Sequence, residues 1–517
     1  MFRIVSAREA IDSIPSGATI GINSFLALSN PALLHDALTD RVRETGSPRD
    51  LTLFCAAGFG GWDETRFADP YIALGAVRRI VAGHYASSQA ATRMIRENQI
   101  EAFNLPLGVA SHTLRAAAAG EDGILSDVGL NLFLDPRIGT CAVNERSRAA
   151  GYADELVRYV EIAGRETLYY KAPRIDVAFI KGTSCDPNGN ISMENEYLTV
   201  DALAMAQAAR RTGGKVIVQV DRVTPHFTRP RSVIVPGILV DFVAVDDAAD
   251  MSTSLAPAMD GDLHVPASHM DYFMSRLSVQ KKPRSLIDES ADIIGARAAR
   301  ELKPGDVVNI GIGIPETVGR HASKTGILKD ITMTVESGGV GGLPAPGLSF
   351  GATIGADMIC DMGSQFDFYD GGGLSVCFMG ALEVDRYGNV NAHQSSAAFT
   401  GLGGFANITN TTPVVVFCMT FTTKGLEARR KDGRVEIVGE GSVKKVVKDV
   451  AAISFSAKNA LKHRQRVLYV TERCVFQLTE RGLTLVEVYD GIDPDRDIQA
   501  HLDFDLGFDQ DVNQGFN

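Results

Sequence analysis

Three segments of this chain occur twice, in the same order, and that internal duplication limits its architecture more than any other feature. The run Ser16-Gly17-Ala18-Thr19-Ile20-Gly21-Ile22 returns as Pro304-Gly305-Asp306-Val307-Val308-Asn309-Ile310, in each case a helix exit followed by a strand. Leu51-Thr52-Leu53-Phe54-Cys55-Ala56-Ala57-Gly58 returns as Ile331-Thr332-Met333-Thr334-Val335-Glu336-Ser337-Gly338. Val177-Ala178-Phe179-Ile180, leading to Asp186-Pro187-Asn188-Gly189-Asn190, returns as Ser375-Val376-Cys377-Phe378, leading to Asp385-Arg386-Tyr387-Gly388-Asn389. The intervals between matches differ, so this is a pair of related halves with different insertions rather than a solenoid of short repeats.

Each half reads as α/β. Runs such as Val216-Ile217-Val218-Gln219-Val220 and Val414-Val415-Val416-Phe417-Cys418 lack polar alternation, which suits strands buried on both faces, and helix-like stretches lie between them. The expected fold is two related open α/β domains with mostly parallel sheets facing a cleft, where ligands are preferred. The break is placed in the basic stretch Gln280-Lys281-Lys282-Pro283-Arg284, giving domains 1–283 and 284–517. A helix over 285–302 is predicted to open the second.

A formal charge of -12 argues against nucleic-acid binding, which depends on neutralising phosphates. No apolar run approaches the length of about 18 residues that a membrane span needs, and the start of the chain has no signal-peptide pattern. The seven cysteines are dispersed without a C-x-x-C, as expected of buried thiols in a reducing cytoplasm. Histidine spacing offers no metal site, and neither a dinucleotide fingerprint nor a P-loop occurs, so no permanently bound cofactor is expected. Gly347-Leu348-Ser349-Phe350-Gly351 fits the nucleophile-elbow spacing, but Pro344-Ala345-Pro346 stands where that motif needs a strand.

The second match sets Ala56 against Glu336, an inert methyl against a carboxylate just past a strand. Ligands of open α/β sheets bind beyond the carboxyl ends of strands, and the glycines from Gly338 onward let a bulky ligand come close. A solvated loop glutamate would fit the same position. A lone carboxylate does not suit paired acid/base hydrolysis, but it can act as a nucleophile, forming an acyl anhydride and then a thioester. The oxyanions on that route need donors, and the turn Gly401-Leu402-Gly403-Gly404-Phe405 has backbone amides to offer, although a tight turn alone would also account for its glycines.

These residues resemble the family I CoA-transferases, in particular single-chain members of the propionate/acetate type with fused α-like and β-like halves. The resemblance rests on Glu336-Ser337-Gly338, Gly311-Ile312-Gly313-Ile314-Pro315, the run from Gln365 to Gly373, the Asp385 to Asn391 turn, and Gly403-Gly404-Phe405. It implies a CoA-transferase/NagB-like fold and ping-pong transfer of coenzyme A between an acyl-CoA and a carboxylic acid, with CoA a substrate. Glu336 would carry the acyl group and then CoA as a γ-glutamyl thioester, and Gly403 would donate its amide to the oxyanion. Gly404, Gly338 and Gly313 would line the substrate site, with Asn104 and Leu107 from the first half. The resemblance also implies short-chain acids as substrates and a homo-oligomer, dimer or tetramer.

One departure stands out. The family commonly has a glutamine donor in a Pro-Gln-Gly segment of the first half, where this chain has Pro106-Leu107-Gly108. Leu107 cannot donate; Asn104, His84 and Asn23 are the nearby polar candidates, and a larger acyl pocket is the other consequence. The alternatives kept open are an acyl-CoA thioester or ring-opening hydrolase on the same scaffold and a non-catalytic ligand-binding protein of sugar-isomerase-like fold.

Overall fold

The duplicated runs become neighbouring strands in each of two sheets. The computed structural model describes residues 2–246, 286–345, 349–395 and 399–514. In the first sheet the strands are β1 (Arg3–Ile4), β2 (Thr19–Ile22), β3 (Leu51–Cys55), β4 (Val77–Ala82), β5 (Glu101–Asn104), β6 (Val177–Cys185), β7 (Lys215–Val223) and β8 (Phe242–Val245). Their order is β1-β8-β7-β6-β2-β3-β4-β5, and every pairing along it is parallel. The short strand Ile191–Ser192 adds an antiparallel ninth to β6.

In the second sheet β9 (Val307–Ile310), β10 (Thr332–Thr334), β11 (Val376–Gly380), β12 (Val414–Cys418) and β13 (Arg466–Val470) pair in parallel in the order β10-β9-β11-β12-β13. Antiparallel β14 (Cys474–Thr479) and β15 (Gly482–Val488) extend it.

The repeat is therefore a repeat of topology. Ile20 stands between Val177 and Leu53, and Val308 between Val376 and Met333. The paired turns agree atom for atom. Asp186 Oδ1 accepts from Asn188 N and Asn190 N while Oδ2 accepts from Asn190 Nδ2, and Asp385 does the same with Tyr387 and Asn389. Gly189 and Gly388 take positive φ, 79° and 88°, to close these turns. Strands without polar alternation are buried on both faces as expected: every residue of β6 is buried.

The chain groups into two compact units that interleave in sequence. The first is bounded as Met1–Val265, Val335–Asp367 and Ala398–Asn407, the second as Pro266–Thr334, Phe368–Ala397 and Ile408–Asn517. A single cut between residues 283 and 284 thus leaves out two segments of the second half that join the first unit; the cut itself lies outside the described residues. The predicted helix over 285–302 is an α-helix at Leu286–Ala298 with a 3-10 turn at Ala299–Glu301, and Ser285 lies outside the described residues. Among the described residues no helix is long and apolar enough to cross a membrane.

Candidate active site

β4 ends at Ala82 and the chain passes directly into Gly83, where a Cβ would stand 2.3 Å from the Ala56 carbonyl and 3.3 Å from the Leu107 Cα. Only glycine fits between these backbones. Asn104, the last residue of β5, is fully buried and has every side-chain polar atom in use. Its Nδ2 donates to the carbonyls of Ala82 and Gly83, both at 2.8 Å, and its Oδ1 accepts from Leu402 N at 3.0 Å.

That asparagine fastens the glycine-rich turn to the ends of β4 and β5. The turn is also held by Tyr85 N donating to Thr400 O, Gly403 N to Gly83 O and Leu107 N to Gly403 O, at 2.8, 2.9 and 2.9 Å. Leu107 itself is 1% exposed, packed at the start of the helix Leu107–Ala119. At Gly108 a Cβ would stand 2.5 Å from the Phe366 ring, and the Gly108 N–H donates to Asn407 Oδ1 at 3.1 Å.

Glu336 belongs to the same unit and meets this turn at Gly404. A Cβ on Gly404 would lie 1.8 Å from Glu336 Oε2 and 3.1 Å from Phe366 Cζ. The Gly404 N–H donates to the Glu336 carboxylate. Behind it the backbone reverses: Val335 N donates to Gly339 O at 2.8 Å, Gly338 N to Val335 O at 3.0 Å, and Ser337 Oγ to Gly351 O. Gly338 has φ 124°, and a Cβ there would stand 2.1 Å from the Cys360 carbonyl, so the position demands glycine twice over.

Glu336 is half-buried as a residue, and it is the carboxyl end that is desolvated. Burial pushes its pKa up to about 7, opposed by the Gly404 N–H. A carboxylate that is desolvated, more basic than usual and steered by one amide is disposed to attack an electrophilic carbonyl.

The residues singled out in the sequence distribute as follows. Glu336, Gly404, Gly403, Gly338, Asn104 and Leu107 all fall in the first unit. The amide facing the carboxylate is that of Gly404, because the Gly403 N–H is already taken by Gly83. Asn104 and Asn23 are structural clamps: Asn23 Nδ2 donates to Thr199 O and its Oδ1 accepts from Asp201 N. His84 is held neutral, with burial lowering its pKa to about 4. Gly313 belongs to the second unit, exposed, at φ 85°, with its N–H on Glu316 Oε1 at 2.9 Å. Sequence reasoning gave no separate role to Gly83 or Phe366; a glycine directly after a strand was the available signal for the first.

Residues 4–246 and 292–496 match the family model described as coenzyme A transferase. The acetate CoA-transferase YdiF of Escherichia coli (strain K12) is 38% identical over 97% of this chain and 92% of its own length. The caffeate CoA-transferase of Acetobacterium woodii is 37% identical over 99% and 96%. Among solved structures, the acyl-CoA transferase YdiF apoenzyme from Escherichia coli O157:H7 covers 100% of this chain and 95% of its own, with TM-score 0.89 and 35% identity. The same enzyme as a thioester complex with CoA gives TM-score 0.88 at the same identity and coverage.

Proposed function

The chain belongs to the coenzyme A transferase family and is a CoA-transferase; within that family we propose that it moves CoA between acyl-CoA and carboxylic acid by ping-pong chemistry through Glu336. The observation that carries this reading is the desolvated Glu336 carboxylate seated on the Gly404 amide, with its pKa raised to about 7. Support also comes from the related YdiF, which has been crystallised as a thioester complex with CoA.

In the first step Glu336 attacks the thioester carbonyl, forming a mixed anhydride and releasing CoA as thiolate. The thiolate then attacks the glutamyl carbonyl, the acid departs as carboxylate, and CoA is left on Glu336 as a γ-glutamyl thioester. An acceptor acid reverses the sequence. Gly404, rather than Gly403, holds the carboxylate in the attacking geometry, and the buried Leu107, Leu402 and Phe366 help keep water from the thioester. The relatives point to two acids to try first: acetate, a short-chain acid, and caffeate, a larger aromatic one.

The half-reaction tests this. Acyl-CoA without acceptor should release one equivalent of free acid per site and leave CoA on the protein. A second reading, thioester hydrolysis, is favoured by the apolar Leu107, and continuous release of free thiol without an acid acceptor would establish it. The chain is further proposed to work in the cytoplasm, consistent with seven free thiols, six of them buried. A homo-oligomer, dimer or tetramer, is proposed on the exposed Phe227 and Ile238, and sedimentation in solution checks it.

A further inference from the structure

Attack by Glu336 on a thioester carbonyl moves the C=O π pair onto oxygen, and that oxyanion needs donors. Four nearby residues have no donor to spare. The Gly404 N–H faces the Glu336 carboxylate, the Gly403 N–H is on Gly83, Asn104 is fully paired and Leu107 has nothing to donate.

Gln365 is different. It is 2% exposed, yet its Nε2 has no hydrogen-bond partner among the described residues. Its Oε1 accepts from Cys360 Sγ at 3.4 Å, which leaves the NH2 end as the free one. Two connections hold it at the Glu336 turn. Cys360 N donates to Gly338 O at 3.0 Å, two residues past the carboxylate. The next residue, Phe366, borders Gly404 as Glu336 does, its Cζ 3.1 Å from where a Cβ on that glycine would stand. A buried amide left unpaired is costly, and a substrate oxygen that accepts from it removes the cost.

Resting on the Glu336 relay, we infer that Gln365 Nε2 is the hydrogen-bond donor to the substrate carbonyl oxygen, filling the role that Leu107 cannot. As the bond from Glu336 Oε to the acyl carbon forms, Gln365 holds the oxyanion. Collapse of the oxyanion restores C=O, breaks C–S and expels the CoA thiolate. Gln365 gains and loses no atom. Three other buried polar atoms nearby lack partners among the described residues: Thr353 Oγ1, against Gly339, and His84 Nδ1 and Trp62 Nε1, on two rings that meet edge-on at 6.4 Å. They are the rival donors.

The test is the rate at which saturating acyl-CoA modifies Glu336 in a single turnover, read by peptide mass in the wild type and in Gln365→Leu, Gln365→Glu, Thr353→Val, His84→Phe and Trp62→Phe. Both Gln365 variants should slow modification by about 10²- to 10³-fold while acyl-CoA affinity stays within roughly threefold. Gln365→Glu, nearly isosteric, guards against a folding defect. Wild-type rates in both Gln365 variants, a loss confined to affinity, or a loss that appears instead in Thr353→Val, His84→Phe or Trp62→Phe overturns the assignment. Failure of the relay itself would show in the wild type, as turnover with Glu336 unmodified.

Discussion

Gly404 and Glu336 are packed so closely that the space a Cβ would need on the glycine is filled by the glutamate's Oε2, 1.8 Å away. Gly404 does not have the positive φ that sets its neighbour Gly403 at 57°, so side-chain space, not backbone conformation, excludes alanine there. Gly404→Ala should displace the carboxylate and lower kcat on the order of 10²-fold or more with little loss of stability. Gly403→Ala meets nothing within 4 Å and should cost about 1 kcal/mol in backbone strain with far less effect on kcat. Steady-state rates and melting curves of the two variants check the contrast.

The raised pKa of Glu336 gives a pH signature with a defined sign. The attacking form is the carboxylate, so kcat/KM should climb through a limb near pH 7. Because the folded-state pKa is above the unfolded value, ionisation works against folding. The stability owed to the neutral acid is complete below about pH 4.5 and lost as pH rises through 7. Glu336→Gln should therefore be more stable than wild type by about 1–3 kcal/mol at pH 8 and equal to it near pH 4.

Asn104 ties three backbone groups together, so Asn104→Ala leaves the Leu402 N–H without a partner in a dry interior and takes the second donor from the Ala82 and Gly83 carbonyls, which keep Leu105 N–H and Gly403 N–H. A loss of about 1–3 kcal/mol in denaturant unfolding is expected, with slower modification of Glu336 as the turn loosens.

A prediction away from the site concerns Lys181, 3% exposed between Glu196 at 2.8 Å and Asp221 at 2.5 Å. Lys181→Met should destabilise the fold by about 3–5 kcal/mol at pH 8, because it removes the buried cation that stands between two acidic side chains. Burial already pushes the Glu196 pKa up, so protonation should shrink the loss at pH 5. Denaturant midpoints at the two pH values decide it.

The duplication was legible because it lies in buried strands, whose apolar runs and closing turns are set by local chemistry. Ile20 and Val308 hold equivalent places, and so do Asp186 and Asp385. Glu336 was legible as a carboxylate in a place where its counterpart is Ala56. Which glycine amide faces that carboxylate was not, because Gly403 and Gly404 are identical in sequence and only the backbone path shows which N–H is already on Gly83. Nor was the passage of 335–367 into the first unit, since Phe366 meets Gly108 and Gly404 through packing between segments far apart in the chain. Gln365 stood in a recognised motif, but an unpaired amide is visible only once its surroundings are known.

The central claim is that Glu336 becomes covalently modified during turnover. Incubation with acyl-CoA, trapping with borohydride or hydroxylamine and mapping of peptides by mass tests it directly. Modification confined to the peptide carrying Glu336, dependent on acyl-CoA and absent from Glu336→Gln, is the predicted result. Sustained CoA transfer with Glu336 unmodified would contradict it.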